Sequence, residues 1–152
     1  MHRFFPTFVT GPRAVGLLLL RLVMGAAFLF HGWSKIQSPG GPFGWMGAEA
    51  GVPGVLQGMA VLAEFGGGLA LILGLLTPLA ALGIACTMIV ALAKVHLPHG
   101  DAFVGQPGKP SFELAAGYLA NAILFLLIGP GIFSLDGLLF ARRLSEAAPG
   151  RS

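Results

Sequence analysis

Apolar residues run along this chain in four long blocks, separated by one tight turn and two loops dense in glycine and proline. The first block, AVGLLLLRLVMGAAFLFHGWSKI, covers residues 14–36 and is apolar all round rather than along one stripe. About 20 such residues are what a helix needs to cross a ~30 Å hydrocarbon core. Three further blocks, at residues 55–76, 79–97 and 112–133, meet the same condition. Thr77 and Pro78 form the tight turn between the second and third blocks, with proline near a helix start. The stretches SPGGPFGWMGAEAGVPG and PHGDAFVGQPGKPS read as loops, the first with Phe43, Trp45 and Met46 placed to dip into the membrane surface. Beyond Gly129–Gly131, SLDGLLFARRLSEA reads as a short amphipathic helix on the membrane. Ser134 or Asp136 is its N-cap, and its leucines and Phe140 lie opposite Arg142 and Arg143. The pattern predicts an all-α membrane protein, a four-transmembrane-helix bundle with a short C-terminal interfacial helix, as a single domain over residues 1–152.

Composition sharpens this reading. Hydrophobic residues make up 55% of the chain and charged residues 10%, against about 25% charged in soluble domains. The partner that this implies is the lipid bilayer. A net charge of +3 would suit nucleic acid, but the basic residues sit at the chain ends, at Arg3, Arg13, Arg142, Arg143 and Arg151, with no patch of interleaved aromatics. Nucleic acid is therefore not an expected partner, and the positive-inside rule places both termini in the cytoplasm. The first block is too long for a signal-peptide core, so it is expected to remain as a span. The single Cys86 excludes an intrachain disulfide and a CxxC redox pair. A stripe of small residues, Gly66, Ala70 and Gly74, is expected to pack within the bundle.

Against this background the polar residues inside the blocks stand out, because a charge near the bilayer centre costs at least ~2.5 to 3.5 kcal/mol. They divide by depth. Arg21 is roughly 10 Å in from the start of its span and Glu64 roughly 14 Å from the opposite side in the next, with Asn121 in the same layer. This deep layer of Arg21, Glu64 and Asn121 reads either as a structural ion pair with a hydrogen-bonding amide or as a functional group. A second layer near the outer surface holds His31, Lys35, Lys94, His96 and Glu113, drawn from three spans. With Glu64, these are the candidate ligand-binding or proton-relay residues, able to transfer protons, bind a quinone head or hold an anion. His31 and His96 on different helices are the arrangement that b-type haem ligation would need, but quinone is the preferred cofactor. His96, His99, Asp101 and Glu113 match no metal-ligand spacing, so no metal site is expected.

The motifs RLVMGAAFLFHGWSK at Arg21–Lys35, EFGGGLALILGLLTPLAA at Glu64–Ala81, and Glu113 and Tyr118 followed by GPGIFSLD at Gly129–Asp136 together resemble the DoxX family of small four-helix membrane proteins. The resemblance extends from about Val15 to Leu139. It implies a multi-pass bundle in a bacterial or archaeal inner membrane, and an association with redox metabolism through the membrane subunit of a thiosulfate:quinone oxidoreductase. It marks Arg21, His31, Lys35, Glu64 and Glu113 as family-motif positions. With no paired cysteines, the chain is expected to be at most a membrane subunit of a quinone-linked oxidoreductase, working with a protein partner in a redox complex. Two other classes fit the same residues: a small transporter or channel for protons, anions or small solutes, and a scaffold that anchors a partner complex.

Overall fold

The computed structural model describes residues 8–146, with side chains described through residue 140. Arg3 and Arg151, used above for orientation, lie outside the described residues, as do the side chains of Arg142 and Arg143. Among the described residues five helices carry the fold. Helix α1, Pro12–Ile36, opens with proline in its first turn, where a missing N–H costs nothing. Helix α2, Gly54–Leu73, and helix α3, Thr77–His99, form a hairpin. Helix α4 is Glu113–Ile128 and helix α5 is Leu135–Glu146. No strand occurs among the described residues, only the isolated bridges Ala102 to Ser111 and Gln106 to Lys109 in the α3–α4 loop.

Helices α1, α2 and α3 are each long and apolar enough to cross a membrane. The fourth expected span is shorter than anticipated. Helix α4 has 16 residues, about 24 Å at 1.5 Å per residue. It stops at Ile128 because Gly129 turns to φ 81° and Pro130 cannot donate into a continuing helix. The second span also ends early, at Leu73 rather than residue 76, because Gly74 adopts the left-handed conformation at φ 64°. Leu75 and Leu76 that follow are apolar, so hydropathy does not register the stop.

Successive helices pack side by side, and small residues set how closely. A Cβ on Gly68 would lie 2.7 Å from the Gly25 carbonyl oxygen and 2.8 Å from the Leu29 nitrogen, and one on Gly32 would lie 2.6 Å from the Phe65 nitrogen. Helices α1 and α2 therefore meet backbone to backbone, as glycines permit in membrane bundles. On the α2–α3 side, Gly67 faces Ile84 and Gly83 faces Ala63. The expected stripe of Gly66, Ala70 and Gly74 packs within the bundle in part: Ala70 lies against the core and Gly74, which caps α2, lies against Arg21 and Ser134, whereas the position above Gly66 meets only Leu62 of its own helix. The core joins Leu17, Met24 and Phe28 of α1 and Leu71 of α2 to an alanine-rich face of α3. Ala122 and Phe125 of α4 close it.

Two helices contain a π turn, at Leu62–Gly66 in α2 and Leu92–His96 in α3. In α3 the cause is Pro98, whose ring would collide with the Lys94 carbonyl in a regular helix. In α2 the run Gly66–Gly68 resists distortion weakly, since glycine gains least from helical geometry. Each π turn carries charged or titratable residues, Glu64 in one and Lys94 and His96 in the other.

The end of the bundle formed by the α2–α3 turn is locked by the segment after α4. Ser134 caps α5, its Oγ accepting from the Gly137 N–H at 2.9 Å. Asp136, in the first turn of α5, faces the bundle, and its two carboxylate oxygens accept from the Leu76 and Thr77 N–H groups at 2.8 and 2.9 Å. Leu76 is held there at φ 50°, a conformation that a leucine adopts only under such constraint. The Asp136 N–H donates to the Gly74 carbonyl at 2.8 Å.

Candidate functional site

The loop end of the bundle holds the pair that organises the candidate site. Lys35, in the last turn of α1, reaches back along its helix so that its Nζ lies 2.5 Å from Glu64 Oε1. Glu64 is 3% exposed and Lys35 18%. Oε2 of Glu64 is buried and has no partner. The π turn brings this about: its extra residue rotates Glu64 relative to the regular faces of α2, turning a charge that lipid would reject toward α1. A buried pair of this kind contributes little net stability, but losing one partner strands a charge.

Trp45 closes the pair from the loop side. Lys35 Nζ lies 4.2 Å from the Trp45 ring centroid, a cation–π contact that strengthens when shielded from water. Trp45 is held through Gln57, a buried amide that sequence reasoning overlooked. Gln57 Oε1 accepts from the Met46 N–H at 2.9 Å and its Nε2 donates to the Val52 carbonyl at 2.9 Å. The signal for it was a lone amide among apolar residues at the start of α2.

The remaining outer-layer residues do not converge on this pair. His31 is exposed and lies against Tyr118 of α4, edge to face at 6.3 Å between centroids, with the Phe28 ring tilted by 57° against the same tyrosine at 4.9 Å. This aromatic set spans the α1–α4 side. His96 Nδ1 lies 2.7 Å from Asp101 Oδ2. The contact ties the imidazole of the π turn to the α3–α4 loop. Lys94 is exposed on the same π turn. Glu113 is exposed and, with Ser111, Leu114, Gly117, Tyr118 and Asn121, lines a concavity of about 410 Å³ along α4. Among the described residues no three His, Cys, Asp or Glu side chains gather as metal ligands.

The deep layer is arranged differently from the expected Arg21, Glu64 and Asn121 set. Glu64 takes Lys35 as its ionic partner. Arg21, fully buried, donates through Nη2 to the Phe133 carbonyl and faces the charge of Asp136, at the opposite end of the bundle. Its Nε and Nη1 have no partner. Asn121 donates to the Gly117 carbonyl of its own helix at 3.0 Å. Depth counted along a helix fixes height but not direction, and the long lysine side chain covers the difference in height that separated it from Glu64.

Three long apolar helices, packed through glycine and enclosing an ion pair, define a polytopic helical membrane protein. The chain belongs to the DoxX family, whose model matches residues 16–97. It is 34% identical over 125 residues to Inner membrane protein YqjF of Escherichia coli (strain K12), covering 82% of this chain and 92% of that one. It is 29% identical over 126 residues to a protein of Bacillus subtilis (strain 168) named "Putative oxidoreductase CatD", covering 83% and 88%. No solved structure matches the chain.

Proposed function

We propose that the protein is a membrane subunit that engages a quinone, or relays its protons, for an oxidoreductase partner. The observation that carries this reading is the buried Lys35–Glu64 pair with one carboxylate oxygen unsatisfied. An acceptor in that state suits a hydroxyl-bearing head group or a transferable proton, and apolar helices on either side suit an isoprenoid-like tail. The name of the Bacillus subtilis relative agrees with a redox setting. In this reading α4 is a fourth span, its ~24 Å length accommodated by local thinning of the bilayer. Both termini face the cytoplasm of a bacterial or archaeal cell, and the membrane is the inner one, as in the name of the Escherichia coli relative.

The test uses protein purified in lipid nanodiscs and decylubiquinone as probe, together with quinone reduction by whatever complex co-purifies. The wild type is expected to bind the probe, and Glu64→Gln to weaken binding about tenfold and to depress partner activity. Absence of probe binding, combined with full partner activity in Glu64→Gln, overturns the proposal.

A further inference from the structure

The long loop between α1 and α2 is docked, and α2 is built to receive it. Phe43 lies with its ring against Gly58 and its carbonyl against Gly54, where a Cβ would sit 2.7 Å from that oxygen. Between those glycines, on the first turns of the same helix, Gln57 is 4% exposed. Its side-chain amide is engaged at both its oxygen and its nitrogen, reading the backbone of Met46 on one arm of the loop and of Val52 on the other. Its own carbonyl accepts a long 3.4 Å bond from Trp45 Nε1. Two 3-10 turns, Gly41–Phe43 and Ala48–Ala50, stiffen the arms. Loops of this length that hold such order are usually functional.

The loop delivers one side chain onto a charged group. Trp45 covers Lys35, which covers Glu64, so the connection runs from the Gln57 amide to the loop, the indole, the ammonium and the carboxylate. We infer that the loop is a lid that seals the Lys35–Glu64 pair from water, with Gln57 as its latch and Trp45 as its seal. Gln57 and Trp45 are thus positioning residues: they keep Lys35 on Glu64 and make access to the pair depend on lid opening. The role of that access rests on the quinone or proton-relay reading above, but the sealing itself does not.

Carboxyl accessibility in nanodisc-reconstituted protein, open to reagent on both faces, tests this without any ligand. A water-soluble carbodiimide with a nucleophilic amine is applied, and modification is followed residue by residue by mass spectrometry. In the wild type, Glu64 is expected to react at least tenfold more slowly than exposed Glu113. Gln57→Leu and Trp45→Ala are expected to raise the Glu64 rate at least tenfold, whereas Trp45→Phe, which keeps an aromatic face, stays near the wild type. Asp136, buried at the far end of the molecule, reports whether each variant is folded. Wild-type Glu64 reacting as fast as Glu113 overturns the inference. So does an unchanged Glu64 rate in Gln57→Leu and Trp45→Ala while Asp136 stays protected. If a variant exposes Asp136, the wild-type comparison and Trp45→Phe decide. Failure here leaves probe binding by the wild type intact, and failure of probe binding leaves the sealing intact, so the two readings are separable.

Discussion

Lys35 and Glu64 set the chemistry of the loop end, and removing either has unequal consequences. Lys35→Met leaves the Glu64 carboxyl at 3% exposure without its partner, and losing one partner of a buried pair costs about 3–5 kcal/mol. The double variant Lys35→Met, Glu64→Leu removes the charge altogether and is expected to recover most of that loss. Denaturant unfolding in mixed micelles checks both; equal stability of the two variants would show that the pair is not electrostatically coupled. Of this site the sequence revealed the residue types and their rough heights. It concealed the partners, because a π turn changes the direction of a side chain without changing its position in the chain. Arg21 shows the other blind spot. Its acceptor is the backbone carbonyl of Phe133, which no inventory of charged side chains would find.

At the level of helices, hydropathy located every apolar element to within a few residues except where the chain turned while remaining apolar, at Leu75, Leu76, Ile132 and Phe133. The close contact between α1 and α2 was not legible in the sequence. Glycines are scattered through both helices, and only the seam itself distinguishes Gly25, Gly32 and Gly68 from Gly66. Gly68→Leu tests that seam. Its side chain would have to enter the space occupied by the Gly25 carbonyl and the Leu29 nitrogen, and overpacking of this type costs about 1–3 kcal/mol. Gly66→Leu, facing only its own helix, is expected to cost less. Thermal unfolding of the two variants side by side measures the difference, and equal losses would place the seam elsewhere.

Across the whole molecule the two ends are built on different principles. The loop end is closed by a docked lid over an ion pair; the turn end is fastened by Asp136 and Arg21. Asp136→Ala would remove the acceptor of the Leu76 N–H and orphan the buried Thr77 N–H, the latter at roughly 1–3 kcal/mol, and leave Arg21 without its opposing charge. Asp136→Asn keeps one acceptor oxygen and is expected to lose about half as much. Unfolding measurements rank the two, and protease cleavage at Leu75 or Leu76 should appear only in the alanine variant.

The Asp136 fastening also bears on how the protein is made. The turn that it secures lies 59 to 60 residues upstream in the chain, so at about 5–20 residues per second a ribosome needs roughly 3–12 s to supply the carboxylate after the turn has been synthesised. Until then the α2–α3 hairpin waits in the membrane with its strained leucine unsupported. A chain cut short before residue 136 never acquires the fastening, which makes the hairpin turn a natural mark by which membrane proteases would tell an unfinished copy from a complete one.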